Sequence, residues 1–167
     1  MKTTVGFLLC IVGLAGIAVA QTKTSGVGKC GKPDTQQSVD VGDRAGHSLV
    51  IVKESCTWTT PMEMAGLKTK TYTVAVTSDA TATKAQERGY VVTVMDNGDK
   101  AFVRFTGTDV IKDGKPEPAD GTWSYTGGAG KLKGLTGKGT YKSTPTADGG
   151  AEDQVDGDYS LPGATKK

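Results

Sequence analysis

The chain is dominated by short β-prone segments, each bounded by residues that favour turns. Seven segments alternate apolar or aromatic residues with polar ones and lack helical periodicity, namely 47–58, 68–78, 88–96, 99–107, 121–126, 137–143 and 153–161. Asn97-Gly98 tolerates the positive φ angles of a type I′ turn and predicts a hairpin over 88–107. Only 78–89, which has an Asp cap and ends at Gly89, also fits a short helix. Seven or eight strands predict an all-β barrel or sandwich.

Alternation along each strand predicts which side chains face the core. Three sets share a predicted buried face: Tyr72, Val74 and Val76; Tyr90, Val92 and Val94; and Trp123 with Tyr125. In the first segment, Glu54 has the same parity as Val50, Val52 and Trp58, which directs its carboxylate inward. Because Leu49 and Ile51 on the other parity are also apolar, we expect that strand to be covered on both sides or bulged.

The N-terminus is typical of a secretory signal. An apolar run follows Lys2 and ends at Ala18-Val19-Ala20, the small-x-small pattern that precedes cleavage. The run is too short and glycine-bearing for a membrane anchor, so stable membrane insertion is not expected. The predicted organisation is a signal peptide over 1–20, an extended N-terminal segment over 21–46, a barrel domain over 47–161 and a tail over 162–167.

The charge balance excludes one broad class of function. Removing residues 1–20 takes away one of the 20 Lys and Arg residues and leaves 19 against 18 Asp and Glu, so the remaining chain carries a net charge of about +1. That value is too balanced for a nucleic-acid-binding surface or for attraction to an anionic membrane.

Two cysteines, Cys30 and Cys56, remain after the predicted signal cleavage. Two thiols exported to an oxidising compartment usually pair, which predicts a disulfide and a secreted or periplasmic location. A metal or redox site is not expected, because the sequence has no CxxC motif and His47 is its only histidine. No organic cofactor is predicted either.

The glycine-rich stretch 121–141 superficially suggests a phosphate-binding loop. Its glycines do not fit the dinucleotide fingerprint, and Gly137-Lys138 is followed by Gly139 instead of the Ser or Thr of a P-loop. A strand-turn-strand corner explains more of the residues, with Leu132 and Leu135 plugging a barrel end and the glycines packing close to Trp123.

At this corner the sequence resembles a known family. TGGAGKLKGLTGKGTY (126–141) is similar to the GGTGxFxGxxGxxxY signature of the allene oxide cyclase and dirigent family, with Ala129 and Leu132 at the usual Thr and Phe positions. The blocks CTW, GLK, RGY and MDNGDK extend a similarity to uncharacterised bacterial secreted proteins over 47–161. The resemblance implies a small antiparallel eight-stranded β-barrel, and because the corner is structural it transfers no catalytic residue.

Six residues are candidates for a ligand site inside such a barrel: Glu54, Trp58, Arg88, Tyr90, Arg104 and Trp123. A buried Glu54 needs a partner, which Arg88 or Arg104 would supply, and the aromatic residues would line a pocket. The main hypothesis is a secreted non-enzymatic barrel that binds a small apolar or aromatic molecule. The alternatives are an isomerase or cyclase-like enzyme, which needs an interior acid or base, and a filled barrel that serves protein interaction.

Overall fold

The computed structural model describes residues 21–163, and eleven strands account for most of that range. They are β1 (Thr22–Cys30), β2 (Thr35–Asp40), β3 (Ser48–Thr60), β4 (Glu63–Met64), β5 (Leu67–Ala80), β6 (Lys84–Met95), β7 (Lys100–Lys112), β8 (Lys115–Pro116), β9 (Ala119–Gly128), β10 (Thr136–Pro145) and β11 (Ala151–Ser160). A single 3₁₀ turn, Gly130–Leu132, separates β9 from β10. The predicted signal peptide and residues 164–167 of the predicted tail lie outside the described residues.

Eight of these strands form a closed antiparallel barrel. Its order around the ring is β1, β11, β10, β9, β7, β6, β5 and β3, and β3 returns to pair with β1. The strands β2, β4 and β8 lie outside the ring, each paired with a ring strand. The predicted all-β, eight-stranded antiparallel barrel is confirmed. The alternative of a helix over 78–89 is wrong, because β5 and β6 run through these residues and meet at a tight turn.

The barrel begins earlier than the sequence predicts, at Thr22 instead of residue 47. The strand β1 is a full member of the ring and pairs with both β11 and β3. Its inward positions include Gly26 and Gly28, so it shows no apolar alternation. A side chain on Gly28 would overlap the ring of Tyr72, with a Cβ only 2.7 Å from its ring carbons. Glycine is required here because an aromatic side chain from across the sheet occupies the space.

The predicted hairpin over 88–107 is confirmed as β6 and β7, but its turn is of another type. Of the two turn residues, only Gly98 has a positive φ, 89°, and its N–H donates to the Met95 carbonyl at 3.0 Å. A type I turn followed by a left-handed glycine fits this pattern, whereas type I′ requires positive φ at Asn97 as well.

The glycine-rich corner closes one end of the barrel, as predicted. Leu132 and Leu135 are almost completely buried. They belong to an apolar cluster that we call the end plug: Met64, Leu67, Met95, Ala101, Trp123, Tyr125, Leu132 and Leu135. The predicted close packing is confirmed, since a Cβ on Gly139 would lie 2.6 Å from the Trp123 ring.

The inward faces agree with the prediction on β5 and β9 but not on β6. The side chains of Tyr72, Val74, Val76, Trp123 and Tyr125 are all buried. On β6 the face is reversed: Tyr90 is 66% exposed, and the inward positions are instead Val91, Thr93 and Met95. Leu49 and Ile51 of β3 are more than half exposed, so β3 is not covered on both sides. The alternative, a bulged strand, is met near the end of β3, where the pairing with β1 shifts register between Trp58 and Thr60.

Candidate functional site

The barrel contains a cavity of about 260 Å³ between the end plug and the opposite end of the strands. Most of its wall is aromatic or aliphatic, including Tyr72, Phe105 and Trp123. Pro116 and Glu117 line it and are exposed, so the cavity reaches the surface at that end, which we call the mouth. The volume is near the lower limit of small-molecule pockets, which suits one small ligand.

Three of the six predicted site residues line this cavity. Glu54, Trp58 and Trp123 face inward, in agreement with the alternation argument. Arg88, Tyr90 and Arg104 are exposed on the outer face, and the Arg104 Nε donates to Ser124 Oγ at 3.0 Å. The predicted ion pair between Glu54 and an arginine is therefore wrong, because Glu54 faces the cavity and both arginines face outward. The inward face of β6 is shifted by one residue from the predicted one, and Arg104 on the neighbouring strand β7 lies on the outer face as well.

Carboxylic acids on opposite walls replace the expected arginines. Glu87 of β6 and Asp109 of β7 lie on one side, and Asp153 of β11 lies across the ring from β6. With Glu54 and Glu117, five acids line the cavity, while no lysine, arginine or histidine among the described residues does. The strongly acidic wall contrasts with a formal net charge of +2 for the whole chain.

Glu87 is the most perturbed of these acids. The pKa of Glu87 is raised to about 8, first by burial and then by the hydrogen bond and charge of the adjacent Asp109, while the hydrogen bond from Ser78 opposes the rise. The Ser78 hydroxyl donates to Glu87 Oε1 at 3.2 Å. A protonated Glu87 can donate a hydrogen bond to Asp109, and this bond stabilises the neutral form of Glu87.

Asp153 is held in place by two hydroxyl groups. The Tyr72 hydroxyl donates to its Oδ2 at 2.7 Å, and the Ser143 hydroxyl donates to its Oδ1 at 2.6 Å. Burial raises the pKa of Tyr72, and the neighbouring Asp153 charge adds to that rise. Tyr72 therefore stays a neutral donor that fixes the orientation of Asp153.

Glu54 has no positively charged neighbour on the cavity wall within residues 21–163. Burial raises the pKa of Glu54 above its usual value, and the negative charges of Asp153 and Asp34 contribute in the same direction. An inward carboxylate that only burial and like charges surround is costly to ionise unless a cation joins it.

Two polar groups on aromatic residues of the cavity wall have no hydrogen-bond partner among the described residues. They are the indole Nε1 of Trp58 and the hydroxyl of Tyr141, both shielded from solvent. Burial raises the pKa of Tyr141, with contributions from the charges of Glu87, Asp109 and Asp153. The Tyr141 hydroxyl lies against Gly107 of β7, which pairs with Glu87, and its hydrogen-bonding capacity is free among the described residues.

The disulfide lies in the barrel wall beside the cavity. Cys30 of β1 and Cys56 of β3 are bonded, as predicted, and both are almost completely buried. Only one group of three possible metal ligands occurs within 4.8 Å of one another in residues 21–163, formed by these two cysteines and Glu54. Because both sulfurs are committed to the disulfide, this group offers a metal ion only one carboxylate.

The lone histidine lies outside the cavity. His47, at the start of β3, bridges Asp43 and Asp79 through its two ring nitrogens, at 2.5 and 2.9 Å. The hydrogen bonds to Asp43 and then Asp79 raise the pKa of His47. This arrangement is structural, because both nitrogens are already engaged.

At the glycine-rich corner, the carboxylate of Asp99 lies where a phosphate site would need an anion. The backbone N–H of Lys131, in the 3₁₀ turn, donates to Asp99 Oδ2 at 2.9 Å. A Cβ on Gly130 would overlap the same carboxylate. The position that a phosphate would need is thus filled by Asp99, which joins the hairpin β6–β7 to the corner.

Comparison with protein-family models and with curated protein sequences gave no match for this chain. Within residues 21–163, no helix has the length and apolar character needed to cross a membrane.

Proposed function

We propose that this protein is a non-enzymatic, extracytoplasmic barrel that binds one small, largely apolar or aromatic molecule in its interior. The observation that carries the proposal is the aromatic-lined cavity of about 260 Å³, closed by the end plug and open at the mouth. A filled barrel for protein interaction would need these side chains to meet at the centre. Small barrels of this kind either fill their interior or hold one ligand.

The proposed location and family rest on separate support. The buried Cys30–Cys56 disulfide is consistent with a secreted or periplasmic protein. The glycine-rich corner and the eight-stranded ring are features that the allene oxide cyclase and dirigent group would share. Membership of that group is part of the proposal.

Fluorescence gives a direct test, because the chain has two tryptophans and both line the cavity. The disulfide-bonded protein is titrated with small aromatic, lipid and oxylipin-like compounds while the emission of Trp58 and Trp123 is recorded. We expect a saturable shift for at least one class. If no compound changes either the emission or the melting temperature, the proposal fails.

A matched pair of variants distinguishes the cavity from the outer surface. Val91→Phe adds volume to the cavity wall, whereas Val92→Phe adds the same volume to the outer face of the same strand. Binding inside the barrel should be lost in Val91→Phe and retained in Val92→Phe. Equal binding by both variants would place the ligand elsewhere and contradict the proposal.

A second candidate function, an isomerase or cyclase-like enzyme, is favoured by Glu87. Its pKa of about 8 gives the cavity a group that exchanges a proton near neutral pH, which acid/base catalysis requires. Chemical analysis of any bound compound after incubation separates the two candidates. Recovery of the unaltered compound supports a binding protein, whereas a rearranged product that Glu87→Gln fails to form supports the enzyme.

A further inference from the structure

We infer that the ligand of this barrel is an organic ammonium ion, an amine carried on a small apolar or aromatic body. This inference rests on the proposed function and specifies the chemistry of its ligand. Three independent features of the cavity support it: the sign of its charge, the spacing of its acids, and the aromatic and hydroxyl groups between them.

The first feature is the charge of the wall. Among residues 21–163, five acids and no basic side chain line the cavity, so the wall described there offers no positively charged partner for Glu54, Asp109 or Asp153. Asp153 accepts hydrogen bonds from two neutral hydroxyls, those of Tyr72 and Ser143. An ammonium group entering the cavity would supply the missing positive charge, whereas a carboxylate or phosphate would be repelled.

The second feature is the spacing of the acids, which does not suit a metal ion. Hard cations such as Ca²⁺ need several oxygen ligands converging on one point. Among residues 21–163, no three carboxylates have oxygens within 4.8 Å of one another. Four of the five acids lie instead on β3, β6, β7 and β11, on different sides of the ring, and Glu117 lies at the mouth. That distribution suits a larger cation that lies between the walls.

The third feature is the set of groups between the acids. Trp58 packs against Tyr72 with ring centroids 4.9 Å apart, and Phe105 meets Tyr141 edge to face at 5.6 Å. Aromatic faces attract ammonium groups through the ring quadrupole, most strongly where water is excluded. The Tyr141 hydroxyl, which has no partner among the described residues and lies beside the β6–β7 wall that carries Glu87 and Asp109, can accept a hydrogen bond from an ammonium N–H.

The test compares probes that have a similar apolar body and differ in the charge of their polar group. The aromatic series is 2-phenylethylamine, 2-phenylethanol and phenylacetate, and the aliphatic series is hexylamine, hexanol and hexanoate. At about pH 7.5 both amines are fully protonated, as a lysine side chain is. Calorimetry and tryptophan emission on the disulfide-bonded protein give each dissociation constant.

We expect each amine to bind about tenfold or more tightly than its alcohol, and the carboxylates not to bind. Glu54→Gln should reduce this preference by about tenfold while leaving the affinity for the alcohol unchanged, which also shows that the variant is folded. The outer-face variant Glu152→Gln is the matched control and should behave as the parent does.

Other outcomes separate this inference from the proposed function. Equal affinity for amine and alcohol, with both lost in Val91→Phe, would leave a ligand-binding barrel but overturn the ammonium inference. Stabilisation by CaCl₂ equal to that by the amines would overturn it in favour of a metal ion. Binding of no probe from any series used in either experiment would overturn both.

Discussion

Replacing Glu87 with glutamine should make the unliganded barrel more stable, and increasingly so as the pH rises. In the folded protein, burial raises the pKa of Glu87 from 4.5 to about 8. The protonated form is therefore favoured by folding, and its contribution to stability is complete below the unfolded pKa. It is lost as the pH rises from about 4.5 through about 8, because the buried carboxyl must then ionise.

The pKa difference sets the size of the effect. Between about pH 5 and about pH 8.5, ionisation of Glu87 should remove about 4 kcal/mol from the free energy of unfolding of the parent. Glutamine has nearly the same shape, can donate to Asp109 and cannot ionise, so Glu87→Gln escapes this loss. All groups outside the Glu87–Asp109 pair have the same surroundings in both proteins, so the difference between them reports the ionisation of Glu87 within this pair.

Urea unfolding at a series of pH values measures this difference. The gap in unfolding free energy between Glu87→Gln and the parent should be small near pH 5 and grow to about 4 kcal/mol near pH 8.5, with unchanged m-values. Glu152→Gln, on the exposed face of β11, should show no such growth. A gap that stays constant with pH, or a variant less stable than the parent near pH 8.5, would refute the assignment of a buried, protonated Glu87.

Three further predictions concern the barrel wall and its loops. His47→Asn should destabilise the protein most below pH ~6.5 and progressively less as the pH rises through the raised pKa of His47, as followed by melting temperature. Replacing both Cys30 and Cys56 with serine should cost about 3 kcal/mol in urea unfolding, because the bond closes a loop with a sequence separation of 26; a cost below about 1 kcal/mol would contradict this. Gly28→Ala should lower the free energy of unfolding by about 1–3 kcal/mol, because the added Cβ would overlap the ring of Tyr72. Gly31→Ala, which has open space around it, should change that free energy by less than about 0.5 kcal/mol. Equal costs for the two variants would count against the packing argument.

Local chemistry in the sequence was sufficient to predict seven of the eight ring strands and the closed end. Trp123 and Tyr125 alternate cleanly with polar residues, so their inward direction could be predicted. Leu132 and Leu135 are isolated apolar residues among glycines, which left burial at a barrel end as their natural position. Each of these features depends on residues that lie close together in the chain.

The face of β6 could not be predicted in this way. Tyr90, Val91, Val92 and Val94 are consecutive or alternate apolar residues, so both faces of the strand look suitable for burial. The inward face is set by Gly89, where a Cβ would overlap Phe105 and the Ala75 carbonyl. That requirement arises from neighbouring strands and leaves no signal in the local pattern.

The same displacement concealed the acids of the candidate site. Once Gly89 is placed inward, Glu87 follows at the next inward position, and its partner Asp109 has the parity of Phe105 on β7. Asp153 shares parity with Val155 in the same way. Acidic residues at inward positions contradict the usual alternation, so a sequence argument places them outside unless the register is already known.

The closure of the ring has a consequence for how the protein folds. Thr22 of β1 pairs with Tyr159 of β11, so the first and last strands of residues 21–163 are neighbours. The ring cannot close until β11 is available, and pairing across such a sequence distance is slow compared with hairpin formation. The disulfide already holds β1 against β3, which shortens the search that β11 must complete. Since both ends of the ring lie side by side, a circular permutant that joins them and opens the β10–β11 loop should fold to the same barrel.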